Sequence, residues 1–135
     1  MIEPITPERV PFVWVEAAAS LRRACERTGE RTTHDVLLAL VTGNAQLWRV
    51  HDDAWCVTEI VNYPRKKVAN VTLVGGRNAK RWCRELADTC IQWAKHYQAD
   101  EIRIVGRRGW LRWLPEAQET TVMTWQLLKS APPAL

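Results

Sequence analysis

The 135-residue sequence is poor in several features that would narrow its function, and each shortage excludes something. It has no apolar run near the roughly 20 residues that cross a bilayer, so an integral membrane protein is not expected. The opening segment, "MIEPITPERV", carries an early acid and two prolines and no apolar stretch, unlike a secretion signal. Cysteine is scarce: Cys25, Cys56, Cys83 and Cys90 form no CxxC pair and no histidine stands at ligand spacing. A zinc site is therefore not expected, and without a secretion signal the thiols are expected to be free in a reducing compartment. Repeats and low-complexity segments are absent. There is one phenylalanine, and there are two tyrosines.

Tryptophan, in contrast, is abundant, with eight residues. So much apolar area in few side chains argues mainly for core and half-buried positions. The hydrophobic (47%) and charged (25%) fractions fit one globular domain over 1–135, with 130–135 as a frayed tail. The net charge of +4 gathers in "PRKK" (64–67), "RNAKR" (77–81) and "GRRGWLR" (106–112). Such clusters suit an anionic ligand, a phosphate backbone or an acidic partner, and they also suit an ordinary solvated surface. The excess is small beside what salt-dependent nucleic-acid binding uses, so nucleic acid is the weaker partner class.

Hydrophobic periodicity orders the chain. Residues 2–5 predict a short strand. Thr6-Pro7-Glu8 predicts a helix start, with Thr6 as N-cap, and the helix continues to about Arg27. Thr32 with Asp35, or Thr33 alone, caps a second helix that Gly43 ends. Strands follow at 45–50, 54–63 and 68–74 as an antiparallel meander. A long amphipathic helix spans about 78–98, with Ala79, Cys83, Leu86, Cys90, Trp93 and Tyr97 on one face. Strand 101–105 closes a βαβ crossover and is expected to run parallel to 68–74. A short helix at 107–115 stops at Pro115, and 121–128 predicts a final strand.

This order of elements resembles the GNAT (GCN5-related N-acetyltransferase) fold, a mixed, mainly antiparallel sheet flanked by helices in the α/β (α+β) class. The segment Asp100-Glu-Ile-Arg-Ile-Val-Gly-Arg-Arg-Gly-Trp110 further resembles small GNAT-like proteins of tailed bacteriophages, several of which are thought to be virion components. The resemblance implies that acetyl-CoA would sit at Leu73, Val74, Gly75, Gly76, Arg77 and Asn78, where a strand meets the long helix. Glycines there allow close approach, and the helix N-terminus offers partial positive charge. The turn is shorter than the [Q/R]-x-x-G-x-[G/A] loop of active members, so it reads first as a strand corner and second as a cofactor turn. Glu59, on a strand face with Trp55, Val57, Val61 and Tyr63, is the candidate base. No tyrosine, serine or cysteine occurs in 106–115 to act as general acid. His34, His51 and His96 show no dyad spacing and read as surface residues. Arg107, Arg108, Trp110, Arg112 and Trp113 combine the residue types favoured at binding hot spots, and form a candidate partner surface. The expectation is a phage protein with a degenerate acetyl-CoA site, present in the virion and the host cytoplasm and assembled with other virion proteins. The alternative is an active N-acetyltransferase.

Overall fold

In the computed structural model, residues 1–104, 108–120 and 122–127 are described. The elements are β1 (Ile2–Ile5), α1 (Val10–Thr28), α2 (Thr33–Val41), β2 (Gln46–Val50), β3 (Ala54–Tyr63), β4 (Lys66–Gly76), α3 (Ala79–His96), β5 (Glu101–Ile104) and a 3-10 helix at Arg108–Arg112. The strands form one sheet in the order β1-β2-β3-β4-β5. All neighbours are antiparallel except β4 and β5, which pair in parallel from Val68↔Glu101 to Val71↔Ile104. No helix among the described residues is long and apolar enough to cross a membrane.

Local chemistry accounts for the boundaries. α1 begins later than its sequence predicts: the Thr6 carbonyl accepts from the backbone N–H groups of Arg9 and Val10, so Thr6-Pro7-Glu8 form a turn. Arg9 is the N-cap, without a side-chain cap, and the proline of the first helical turn is Pro11. Gly29, at φ 66, ends α1 by returning its N–H to the Cys25 carbonyl. The capping box at Thr32 and Asp35 is formed as expected. β4 extends beyond 68–74 at both ends, because Lys66 and Lys67 already pair with Tyr63 and Asn62, and Gly75 and Gly76 with Trp55 and Ala54.

The sheet carries a core on each face. α1 and α2 cover one side, where Leu21, Leu40, Leu47, Trp55, Val57 and Leu73 meet. α3 covers the other, over Trp48, Val50, Cys56 and Val71, with Trp82, Leu86 and Cys90 as its buried stripe. One irregularity links the two. Pairing steps from Val57↔Leu73 to Thr58↔Val71, leaving Thr72 as an extra residue on β4. This bulge turns Val71 toward α3 and Leu73 toward α1, although two residues apart on a regular strand share a face. The buried Thr58 hydroxyl accepts the Trp48 indole N–H at 2.9 Å.

The predicted last strand is not formed over its described residues. Residues 122–127 are in no strand or helix, and Val122, Met123, Trp125 and Leu127 are 76–84% exposed. Alternating apolar residues supply strand propensity, but that propensity acts through packing and a neighbouring strand, and this segment has neither among the described residues.

Candidate functional site

Because β5 pairs only with Val68–Val71, β4 from Thr72 to Gly76 has no ladder partner on that side among the described residues. A cleft of about 590 Å³ opens along this free edge. The second half of α1 forms one wall, the β4 edge another, and Ala79, Trp82 and Trp110 close the α3 end. Gly75 lets α1 lie directly on the strand: a Cβ there would stand 2.0 Å from the Ser20 carbonyl oxygen. Trp82 and Trp110 meet edge to face at 6.5 Å and 88°.

Of the six residues expected to hold a cofactor, Leu73, Val74, Gly75 and Gly76 line the cleft. Arg77 and Asn78 engage Asp53 in the β2–β3 turn instead. The Arg77 backbone N–H donates to the Asp53 carbonyl at 3.0 Å. The Asp53 carboxylate takes Asn78 Nδ2 at 3.1 Å and lies 3.5 Å from Arg77 Nε and 3.8 Å from Arg81 Nη1. Its side chain is only 8% exposed. The Asn78 hydrogen bond, aided by the two guanidinium groups, holds this carboxyl below the usual carboxylate range. Gly76, at φ 149, completes the corner, since a Cβ there would stand 2.3 Å from the Asp53 carbonyl oxygen. The strand corner is thus real, and its basic residues already have an acid. Sequence reading passed over Asp53. The signal was the hairpin register, which sets the "HDD" turn beside the glycine pair.

Glu59 does not itself line the cleft; it lies behind Arg31 and Thr72, which do. Its Oε1 accepts from Arg31 Nη1 at 2.7 Å and from Thr72 Oγ1 at 3.1 Å, while Asn70 Nδ2 donates to Thr72 Oγ1 at 3.3 Å. Arg31, Thr72 and Asn70 line the cleft, and the Glu59 side chain is 25% exposed. A carboxylate so placed can accept a proton, although one oxygen is committed to an ion pair. Arg31, in the link between α1 and α2, was not singled out from sequence because its partner lies 28 residues away.

No tyrosine, cysteine or histidine lines the cleft among the described residues. Trp110 is half-buried against Trp82, and Trp113 is half-buried with the Arg112 guanidinium 4.9 Å from its ring. Arg108 begins the 3-10 helix, and Arg107 lies outside the described residues. Leu114 is buried, and an Arg84–Glu116 ion pair ties the segment after the 3-10 helix to α3. His51 does have a carboxylate partner, Glu85, with Nε2 2.5 Å from Oε2. That contact lowers the Glu85 pKa and bridges β2–β3 to α3 rather than the cleft. All four cysteines are free and buried. A hydrogen bond with Cys90, then burial, pushes the Cys56 thiol well up. No group of side chains fit to hold a metal occurs among the described residues.

No family model matches the sequence, and no curated protein does. Solved structures do match. A probable acetyltransferase is similar with a TM-score of 0.66 at 11% identity, covering 98% of this chain and 99% of its own. A GCN5-related N-acetyltransferase from Ralstonia eutropha JMP134 is similar with a TM-score of 0.64 at 11% identity, covering 94% and 97%. A predicted acetyltransferase from Clostridium acetobutylicum, solved with acetyl-CoA, is similar with a TM-score of 0.62 at 11% identity, covering 96% and 95%. With the element order, the parallel β4–β5 pair and the cleft at its opening, this likeness over nearly the full length shows that the chain has the GNAT fold.

Proposed function

We propose that this protein is an interaction protein on a GNAT frame, with a degenerate acetyl-CoA site, that assembles with other proteins of a tailed-phage particle. The observation that carries this reading is Asp53, whose carboxylate engages Asn78, Arg77 and Arg81 and offsets one of the two guanidinium charges at the turn where the fold would hold a pyrophosphate. The lack of a tyrosine or cysteine along the cleft, among the described residues, agrees with it. So does the exposed apolar segment Val122–Leu127, which offers a partner unburied area.

A second reading, N-acetyl transfer from acetyl-CoA to an amine, is favoured by one specific observation: the cleft is open, and a carboxylate, Glu59, lies directly behind its lining residues Arg31 and Thr72. On that reading Glu59 takes the amine proton as the C–N bond forms and the C–S bond breaks.

Calorimetric titration with acetyl-CoA separates the two. The degenerate-site reading expects no micromolar binding through the turn and no effect of Gly76→Glu or Arg77→Ala on any residual affinity. Micromolar binding abolished by either substitution would refute the degenerate-site reading. Stoichiometric recovery of the chain in purified particles is the matching test of assembly, and its absence from particles together with acetyl transfer would refute the proposal.

A further inference from the structure

The outward face of α1 leaves apolar side chains in water on an element that is otherwise firmly seated. Val10, Ala17, Leu21 and Ala24 are its buried stripe. Phe12, Val15 and Ala19, at steps of three and four, form a ridge on the opposite side, and all three are exposed. Phe12, the only phenylalanine in the chain, is 88% exposed, and Val15 is 87% exposed. Phenylalanine is among the residues most often buried, and neighbouring exposed apolar side chains mark a contact surface. The ridge stands on a formed helix, so little ordering opposes association through it. Residues 122–127 are also apolar, but they are in no helix or strand and lack that advantage.

The charges at the two ends of the ridge indicate what covers it. Glu3, Glu8 and Arg9 stand at the N-terminal end and are net acidic. Arg22, Arg23, Glu26 and Arg27 stand at the C-terminal end and are net basic. Arg9 already pairs with Glu3 at 3.6 Å. Glu8 and Arg23 are exposed, and neither has an ion-pair partner among the described residues. A surface with an apolar centre and oppositely charged ends is complementary to itself when one copy is reversed on the other. A two-fold axis crossing the helix between Val15 and Glu16 sets Phe12 against Ala19 of the second copy and Glu8 against its Arg23. The small alanine leaves room for the phenylalanine ring.

We infer that the outward face of α1 is a self-association surface: a second copy of this chain packs antiparallel on the ridge of Phe12, Val15 and Ala19. One helix on one helix is a small interface, so the dimer is reversible and depends on concentration. The inference rests neither on the cofactor turn nor on particle assembly.

Sedimentation of the full chain from micromolar to millimolar concentration tests it. A monomer–dimer equilibrium is expected. Phe12→Arg and Val15→Arg should each raise the dissociation constant at least about tenfold, as for a residue at the centre of an interface. Both positions are exposed, so the melting temperature measured on dilute protein should hold. Glu8→Arg and Arg23→Glu should each weaken the dimer about threefold, the scale of an exposed ion pair. Combining the two should restore it to within about twofold of wild type, a rescue that general loss of structure would not give. Trp125→Ser with Leu127→Ser should leave the equilibrium unchanged. A chain that stays monomeric at every concentration overturns the inference, as does a dimer that only the last pair abolishes. Dimerisation lost with Phe12→Arg but not restored by the charge exchange overturns the antiparallel arrangement. A monomer that instead captures a particle protein through Phe12 overturns self-association and supports the assembly reading. Particle incorporation that survives Phe12→Arg leaves that reading standing.

Discussion

Gly75 and Gly29 show how differently two glycines can matter. At Gly29 a Cβ would meet open space and only the left-handed backbone is costly, about 1–2 kcal/mol for an L residue. At Gly75 the added atom would overlap the Ser20 carbonyl at 2.0 Å, and backbone cannot rotate away as a side-chain end can. Gly75→Ala should therefore cost about 3 kcal/mol, the upper part of the overpacking range. Chemical denaturation measures both variants, and equal stability of Gly75→Ala and wild type would mean that α1 does not rest on β4. The glycine pair stood out in sequence, but the reason for its first member did not. Ser20 is 55 positions away, and no local pattern joins the two.

Among the elements, the turn between β4 and α3 makes the clearest energetic statement. Asp53 has a lowered folded-state pKa through Asn78, with help from Arg81 and Arg77. A lowered value means that its stabilisation is full above the ordinary carboxylate pKa, near 3.8, and is lost as pH falls through the folded value. Asp53→Asn should lower the melting temperature at neutral pH, and the gap to wild type should close as pH drops through that acid range. A gap that stayed constant with pH would remove the carboxylate charge from the explanation. Most elements were readable in advance, because caps and periods are local: Thr32 with Asp35, Gly43, the stripe of α3, and the bounds of β3. The start of α1 and the end of β4 were not. Pro11 and the hairpin register decide them, and register is a matter between strands.

For the molecule as a whole, the apolar segment after the 3-10 helix stands outside the energetics of the fold. Met123, Trp125 and Leu127 alternate with Thr124 and Gln126, yet no described strand pairs with them. Trp125→Ser with Leu127→Ser should shift stability by no more than about 0.5 kcal/mol per site, as for exposed positions, while solubility rises. A loss of several degrees in a calorimetric scan would show that this segment packs on the domain. The architecture was legible because one crossover and one meander leave few topologies. The cleft was only half legible. Its β4 wall follows from the glycine pair, while its α1 wall needs the tertiary placement of residues 20–31 against that strand.

The edge-to-face pair of Trp82 and Trp110 has an optical consequence. One indole is almost wholly buried and the other half-buried, and both border the cleft. The cleft therefore carries its own fluorophores, so a bound molecule changes the polarity and quenching around them without any attached label. Six further tryptophans add background, but Trp48 and Trp93 are packed against each other within the α3 face and Trp125 lies in solvent. Replacing Trp125 removes the most exposed of the eight and leaves seven, of which Trp82 and Trp110 border the cleft, so a ligand-dependent change in emission is read against a smaller background.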